Sequence, residues 1–231
     1  MWFDPMYLVF ALPGLVFSLW ATFYVKSTFA KYATIGCASG MTGAEAARRM
    51  LDWAGLRGVK VRQTEGLLSD HYDPMARELR LSPEVYQRSS LAAIGVACHE
   101  AGHALQHAEG YALLGLRSTL VPVVNIGSHL SYIVLMIGML LHRQPLILAG
   151  ALLFSLVVLF SIVTLPVEWN ASARARVAMV QAGIVTGPER DHAWEVLKAA
   201  FLTYVAAAVS ALLTLLYYLW RAGLFGGRRD E

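Results

Sequence analysis

Charged residues are scarce in this chain of 231 residues: Asp, Glu, Lys and Arg make up 15% of it, whereas hydrophobic residues make up 57%. Soluble domains carry about 25% charged and 45–50% apolar residues, so the composition argues against an ordinary one-core soluble protein. Intrinsic disorder is excluded as well, because a chain with 11% aromatic residues and so few charges collapses. The composition therefore favours a membrane protein.

The charges are missing from four long apolar runs, which lie at 5–25, 119–141, 145–167 and 199–220. About 20 helical residues cross a hydrocarbon core of roughly 30 Å, and in lipid only helices or closed barrels satisfy the backbone. None of the runs alternates with the period of a strand. We therefore predict a mainly α-helical membrane protein with four transmembrane helices, organised as a single membrane-embedded domain over 1–231.

Basic residues are concentrated on one side of these runs. Segments 26–118 and 168–198 hold 15 of the 19 Lys and Arg residues. The other four are Arg143, Arg221, Arg228 and Arg229. The positive-inside rule then predicts that both segments are cytoplasmic and both termini external. On that reducing side, Cys37 and Cys98 are expected to be free thiols. The net charge of +3 follows from this bias, and without a basic stripe interleaved with aromatic residues we expect no nucleic-acid partner.

Segment 26–118 has the pattern of a small α/β unit. A capping box at Thr42–Glu45 predicts the start of a helix. Alternating residues predict two short strands, and a polar loop joins them; the strands are 59–62 and 78–81, and the loop is 66–74. A long helical pattern then runs from about Ser90 to Ala108.

The long helix carries the motif His99-Glu100-Ala101-Gly102-His103. Residues four positions apart face one side of a helix, so His99 and His103 can bind one zinc ion at about 2.0–2.1 Å. Glu100 is then placed to take a proton from the zinc-bound water and to pass it to the leaving amine. The alternative interpretation is two hydrogen-bonded histidines beside a surface glutamate.

Catalytic zinc usually has three protein ligands and one water, and Glu168 is the candidate for the third. It directly follows the third apolar run, on the same predicted side of the membrane as the motif. Ala171, Ser172 and Ala175 form a stripe of small residues that allows a close approach of the two helices. Ser172 is placed to bond a ligand histidine. The alternative for Glu168 is a solvated carboxylate at a helix end.

Other polar residues are weaker candidates. His107 follows His103 by one turn and is a rival third ligand, although three successive turns rarely converge on a tetrahedral ion. His71 and Tyr72, in the polar loop, are candidate donors to the oxyanion of a tetrahedral intermediate, with turn chemistry as the alternative. Tyr204, in the fourth run, is another, with interfacial packing as its alternative.

Several motifs spread along the chain carry a resemblance to a known family. They are KSTFAKY at 26–32, MTGAEAARR at 41–49, DHYDP at 70–74, HEAGHALQHAEGY at 99–111, LRSTLVPVVNIGS at 116–128, LPVEWNASARA at 165–175 and TYVAAA at 203–208. In these the chain resembles the bacterial membrane-bound neutral zinc metallopeptidases of the YugP type, over nearly its full length. The resemblance implies a Zn²⁺ endopeptidase with His99, His103 and Glu168 as ligands and Glu100 as base.

The chain is also similar in outline to gluzincin membrane proteases of the HtpX kind, which have an HExxH motif, then a pair of spans, then a glutamate followed by small residues. Those proteases often have an aspartate where this chain has Ser172. A hydroxyl orients a ligand histidine less strongly than a carboxylate does. By analogy with zincins, the strand around Glu78–Ser82 is expected to be an edge strand that pairs with an extended polypeptide substrate.

Together these features predict a zinc metallopeptidase of a bacterial plasma membrane, with a zincin-like unit in the cytoplasm that hydrolyses membrane or membrane-proximal polypeptides. One alternative is an intramembrane, site-2-type protease. The lack of an aspartate in an NPDG-like turn, and the polar residues Gln106, His107 and Glu109, argue against it. The other is a non-catalytic membrane scaffold with a structural metal. Glu100 argues against that, because a structural site needs no base. The sequence does not indicate an oligomeric state.

Overall fold

A computed structural model describes residues 4–66 and 69–224. The described residues form seven helices and three strands. The helices are α1 (Pro5–Ala33), α2 (Gly43–Trp53), α3 (Pro83–Gln87), α4 (Leu91–Ala108), α5 (Ala112–Leu140), α6 (Gln144–Gln181) and α7 (Gly187–Arg221). The strands are β1 (Lys60–Gln63), β2 (His71–Asp73) and β3 (Glu78–Leu81).

The chain divides into two compact units. One, here called the span unit, takes in the chain up to Ala21, Leu116–Leu165 and the chain from Thr203. The other, called the site unit, takes in Thr22–Gly115 and Pro166–Leu202. The single domain expected over 1–231 stays a prediction.

Within the described residues, four helices are long and apolar enough to cross a membrane: α1, α5, α6 and α7. This confirms the four apolar helices expected from the sequence. The helices are longer than the charge-free runs, with 29 to 38 residues each, because helical backbone continues into polar sequence. In the span unit, large apolar side chains such as Val9 and Ile126 are 61% and 72% exposed, which suits a surface in contact with lipid.

Small residues bring α5 and α6 together within the span unit. The Ser131 hydroxyl donates to the Gly150 carbonyl at 2.9 Å. A Cβ atom on Gly150 would lie 2.6 Å from the Leu135 side chain, and one on Gly138 would lie 2.8 Å from the Ile147 nitrogen. Close packing of small residues with a buried polar bond is typical of helix pairs in membranes.

One ion pair in the span unit bears on the charge bias that predicts the membrane orientation. Arg221, one of the basic residues on the side predicted to be external, lies 3.6 Å (Nη1 to Oδ2) from the Asp4 carboxylate. This ion pair offsets its charge. Arg228 and Arg229 lie outside the described residues.

In the site unit, the helix α2 begins where the sequence predicts. The Thr42 hydroxyl accepts the Glu45 backbone N–H at 3.2 Å, and the Glu45 carboxylate accepts the Thr42 backbone N–H at 2.8 Å. This reciprocal pair confirms the capping box. One face of α2 is fully buried in the hydrophobic core that also contains the apolar face of α4; its residues are Ala46, Ala47, Met50 and Leu51.

The sheet has the strand order β1-β3-β2, with β3 parallel to β1 and antiparallel to β2. β3 is therefore the central strand, and the expectation that Glu78–Ser82 forms an edge strand is wrong. The reason is a strand that the sequence did not reveal: His71–Asp73, expected within a polar loop, forms β2. The Asp70 carboxylate accepts the backbone N–H of Ser82 at 2.8 Å and its hydroxyl at 3.0 Å, which ties β2 to the end of β3.

Candidate metal centre

The helix α4 carries both candidate ligand histidines on one face. His99 and His103 are one turn apart, and their ring centroids lie 4.8 Å from each other in an edge-to-face arrangement. The His103 side chain is 9% exposed and that of His99 is 14% exposed. Both imidazoles are therefore largely shielded from water, on the wall of the site unit's core.

The helix α6 brings Glu168 to the same place through a close helix contact. A Cβ atom on Gly102 would lie 2.5 Å from the Ala171 carbonyl oxygen, so only glycine allows the two backbones this approach. Ala171, Ser172 and Ala175 are buried with 0 to 2% exposure. The stripe of small residues expected from the sequence is thus confirmed as the contact surface between α4 and α6.

The three candidate ligand atoms face one another. Glu168 Oε2 lies 3.1 Å from His99 Nε2 and 3.6 Å from His103 Nε2, and all three groups offer atoms within 4.8 Å of one another. Two ligands at about 2.0–2.1 Å from a tetrahedral zinc lie roughly 3.3–3.4 Å apart. Two imidazole nitrogens and one carboxylate oxygen also match the donor set of a catalytic zinc, so the residues fit the ion.

Each histidine is bonded at its other ring nitrogen. His99 Nδ1 lies 3.0 Å from the Ser172 hydroxyl, where the sequence places a partner for a ligand histidine. His103 Nδ1 lies 2.9 Å from Gln106 Oε1. Such contacts orient the rings of metal-binding histidines, and here they leave both Nε2 atoms directed toward Glu168.

The carboxylates around His103 control its protonation. Burial disfavours a charged imidazole, but the hydrogen bond to Glu168 and the charge of Glu100 outweigh it and raise the pKa of His103. A proton competes with a metal ion for the same nitrogen. Acid is therefore expected to weaken metal binding at this site.

Glu100 follows His99 directly in sequence, is half-buried, and is held by the sheet. Its Oε2 atom accepts the backbone N–H of Tyr72 in β2 at 3.1 Å. The Tyr72 hydroxyl lies 2.9 Å from His107 Nδ1. Burial raises the pKa of Tyr72, so this hydroxyl keeps its proton and can donate a hydrogen bond. The edge strand β2 thus fixes the position of the candidate base.

The remaining candidates are placed differently. His107 pairs with Tyr72 and is not part of the group formed by His99, His103 and Glu168. His71 is exposed, and its Nδ1 atom lies 2.7 Å from the Ser69 carbonyl oxygen. Tyr204 belongs to the span unit, in α7. The catalytic roles expected for His71 and Tyr204 stay predictions.

Two contacts at this site escaped the sequence analysis. The backbone N–H of Tyr72 carries no side-chain signal, so its bond to Glu100 is visible only once β2 is known. Gln106 is fully buried beside His103. Its position three residues after the second histidine, on the same helical face, is the signal that points to it.

Comparison with known proteins shows the family of this chain. Residues 7–223 match a family model described as "Putative neutral zinc metallopeptidase". The chain is also 46% identical over 226 residues to the "Putative membrane protease YugP" of Bacillus subtilis (strain 168), which covers 98% of this chain and 99% of that protein. No solved structure matches the chain. The family match spans nearly the whole chain and includes all three converging ligand residues. The chain therefore belongs to the family described as "Putative neutral zinc metallopeptidase".

Proposed function

We propose that this protein is a zinc-dependent membrane endopeptidase of the gluzincin type, with His99, His103 and Glu168 as zinc ligands and Glu100 as general base. The observation that carries the proposal is the convergence of two imidazole nitrogens and one carboxylate oxygen within 4.8 Å, with a second carboxylate one residue after the first histidine. A purely structural metal site needs the ligands but not the second carboxylate.

Glu100 acts on a water molecule at the site. Zinc, when bound, polarises the scissile carbonyl and lowers the pKa of water. Glu100 accepts the proton of the attacking water and delivers it to the nitrogen of the departing amine, which completes hydrolysis of the peptide bond. The Tyr72 N–H holds one oxygen of Glu100, so the other oxygen is free to move the proton. His71 and Tyr204 are the candidate donors to the oxyanion.

The substrate is a polypeptide in extended conformation. β2 is an edge strand, and its Tyr72 N–H points to Glu100, away from β3. A peptide lying along this edge passes directly by the base. Main-chain pairing with an edge strand gives affinity with little demand on side chains, which suits the turnover or processing of membrane-proximal polypeptides. This strand replaces Glu78–Ser82 as the proposed substrate strand.

The protein works in the bacterial plasma membrane with its active site on the cytoplasmic side. The four apolar helices support insertion in a lipid bilayer, and the basic residues of 26–118 and 168–198 support the orientation. The polar and charged side chains of the site unit favour cleavage outside the hydrocarbon core over intramembrane cleavage. We also propose that the protein does not bind nucleic acid.

The test is casein cleavage by the purified, zinc-loaded full chain, compared with Glu100→Gln. The variant keeps the ligands and is expected to lose about 10²- to 10⁴-fold in kcat, the usual contribution of a general base, while retaining its zinc. Glu84→Gln, at a half-exposed glutamate on α3 that pairs with Arg88, is the matched control and should cleave normally.

Other outcomes of the same assay identify the alternatives. Zinc-loaded wild type that cleaves neither casein nor a membrane-spanning peptide supports the scaffold. Cleavage of the membrane-spanning peptide alone supports an intramembrane protease. Full activity in Glu100→Gln rules out Glu100 as the base.

A further inference from the structure

We infer that Gln106 is a positioning residue that fixes His103 with its proton on Nδ1, so that the lone pair of Nε2 is presented to the metal. The inference rests on the proposed zinc site but concerns a residue outside the ligand set and the base. It follows from the buried hydrogen bonds around the Gln106 amide.

The orientation of that amide is determined by its neighbours. One terminal atom of Gln106 lies 2.8 Å from the Val167 carbonyl oxygen and 2.9 Å from Asn170 Oδ1. A carbonyl only accepts hydrogen bonds, so this atom must be the amide nitrogen. The other terminal atom, which faces His103, is therefore the oxygen.

Arg174 fixes the neighbouring Asn170 amide in the same way. Its Nε–H lies 2.7 Å from Asn170 Oδ1, and a guanidinium only donates, so the Asn170 atom is an oxygen. The guanidinium is itself held by the Glu109 carboxylate at 2.6 Å. A chain of bonds with one allowed direction thus runs from Glu109 through Arg174 and Asn170 to Gln106.

The consequence is a defined tautomer of His103. Gln106 Oε1 can only accept, and it lies 2.9 Å from His103 Nδ1, so Nδ1 must carry the proton. Neutral imidazole has one proton, so Nε2 then carries none and its lone pair is available to a metal ion held together with Glu168. Gln106 is 0% exposed, so these bonds are shielded from bulk solvent.

His99 is held in a different manner. Its Nδ1 partner is the Ser172 hydroxyl, which can donate or accept. Ser172 therefore accommodates either tautomer of His99, whereas Gln106 selects one tautomer of His103. The prediction is that loss of Gln106 affects metal binding more than loss of Ser172.

The first test is zinc affinity, measured by competition with a chelator on the purified full chain. Gln106→Leu removes the acceptor and is expected to weaken zinc binding about 10- to 100-fold, as other partners of metal-binding histidines do. Gln87→Leu, at an exposed glutamine that pairs with Gln63, is the control and should bind as wild type does.

The second test reads the tautomer in the wild type, so it does not depend on a variant that folds. ¹⁵N spectra of histidine-labelled protein, recorded without zinc so that the metal does not itself fix the tautomer and at a pH at which the imidazole is neutral, should show His103 protonated at Nδ1. A proton on Nε2, or Gln106→Leu that binds zinc as tightly as wild type, would overturn the inference and leave the proposed function standing. Wild type that binds no zinc would overturn both.

Discussion

Ser172 and Glu168 lie one turn apart on α6, so a single stretch of helix supplies both a proposed ligand and a hydrogen-bond partner for another proposed ligand, His99. The Ser172 hydroxyl lies 3.0 Å from His99 Nδ1, on the side of the ring away from Glu168. A hydroxyl holds an imidazole less firmly than a carboxylate does. The hydroxyl is therefore expected to contribute modestly to the zinc site.

Replacement of this hydroxyl gives a prediction at the scale of one residue. Ser172→Ala should weaken zinc binding about tenfold, the lower end of the usual effect for such partners, because His99 loses its fixed orientation. Chelator competition measures the change. Ser161→Ala is the control, since that hydroxyl bonds the Val157 carbonyl of its own helix. Equal zinc affinity in Ser172→Ala and wild type would show that Ser172 does not support His99.

The contact between α4 and α6 assembles the candidate metal centre, because α4 carries two of the proposed ligands and α6 carries the third. At one point of this contact Gly102 lies so near the Ala171 carbonyl that a Cβ atom would not fit. Added volume at a packed contact displaces one of the helices. The separation of Glu168 from the histidines therefore depends on a glycine in the middle of α4.

A pair of glycine substitutions tests this dependence. Gly102→Ala should destabilise the protein by about 1–3 kcal/mol through overpacking and should also weaken zinc binding. Gly95→Ala, on the same helix, is the matched control: its Cβ would lie 3.5 Å or more from its nearest neighbours, and alanine favours helix by about 0.8–1.0 kcal/mol. Thermal unfolding and chelator competition measure both effects. Equal behaviour of the two variants would contradict the account.

The sequence predicts well those elements whose determining residues lie close together along the chain. The capping box at Thr42–Glu45 and the helix from about Ser90 to Ala108 depend on residues within a few positions of one another, and both are found as expected. The strand β2 was missed because its cause is not local. It forms by pairing with β3, and the Asp70 carboxylate that precedes it bonds Ser82, twelve residues later.

The same distinction applies to the candidate site. His99, Glu100 and His103 form a motif within five residues, and Glu168 is marked by its place after an apolar run. The direction of the Gln106 amide was not predictable, because it is set by a carbonyl that lies 61 residues away in sequence. Sequence pattern therefore points to the candidate ligands, and tertiary contacts determine how their side chains are held.

At the scale of the whole molecule, the charged residues all lie outside the four apolar runs. The four apolar runs contain none of the 35 charged residues of the chain, which comprise 19 Lys and Arg and 16 Asp and Glu. All the candidate ligands and the base belong to the site unit. The low overall charge is thus an average over lipid-facing helices and a unit of ordinary polarity.

Membrane orientation is the prediction at this scale. A cysteine at Gly58 in the site unit should react with a membrane-impermeant maleimide only after cells are permeabilised, whereas a cysteine at Gln144 should react in intact cells. Both positions are exposed and neutral, so neither change alters the charge bias. The native Cys37 and Cys98 are buried, and burial raises the pKa of Cys98, so background labelling should be low. The reverse labelling pattern would invert the orientation.

The central claim, a zinc ion held by residues of both α4 and α6, is tested most directly by the zinc content of the purified full chain. Wild type should hold one zinc ion per chain. Glu168→Ala should hold little, because it leaves two histidines where a catalytic zinc needs three protein ligands, and Glu84→Ala should match wild type. Full zinc retention in Glu168→Ala, or none in wild type, would contradict the account.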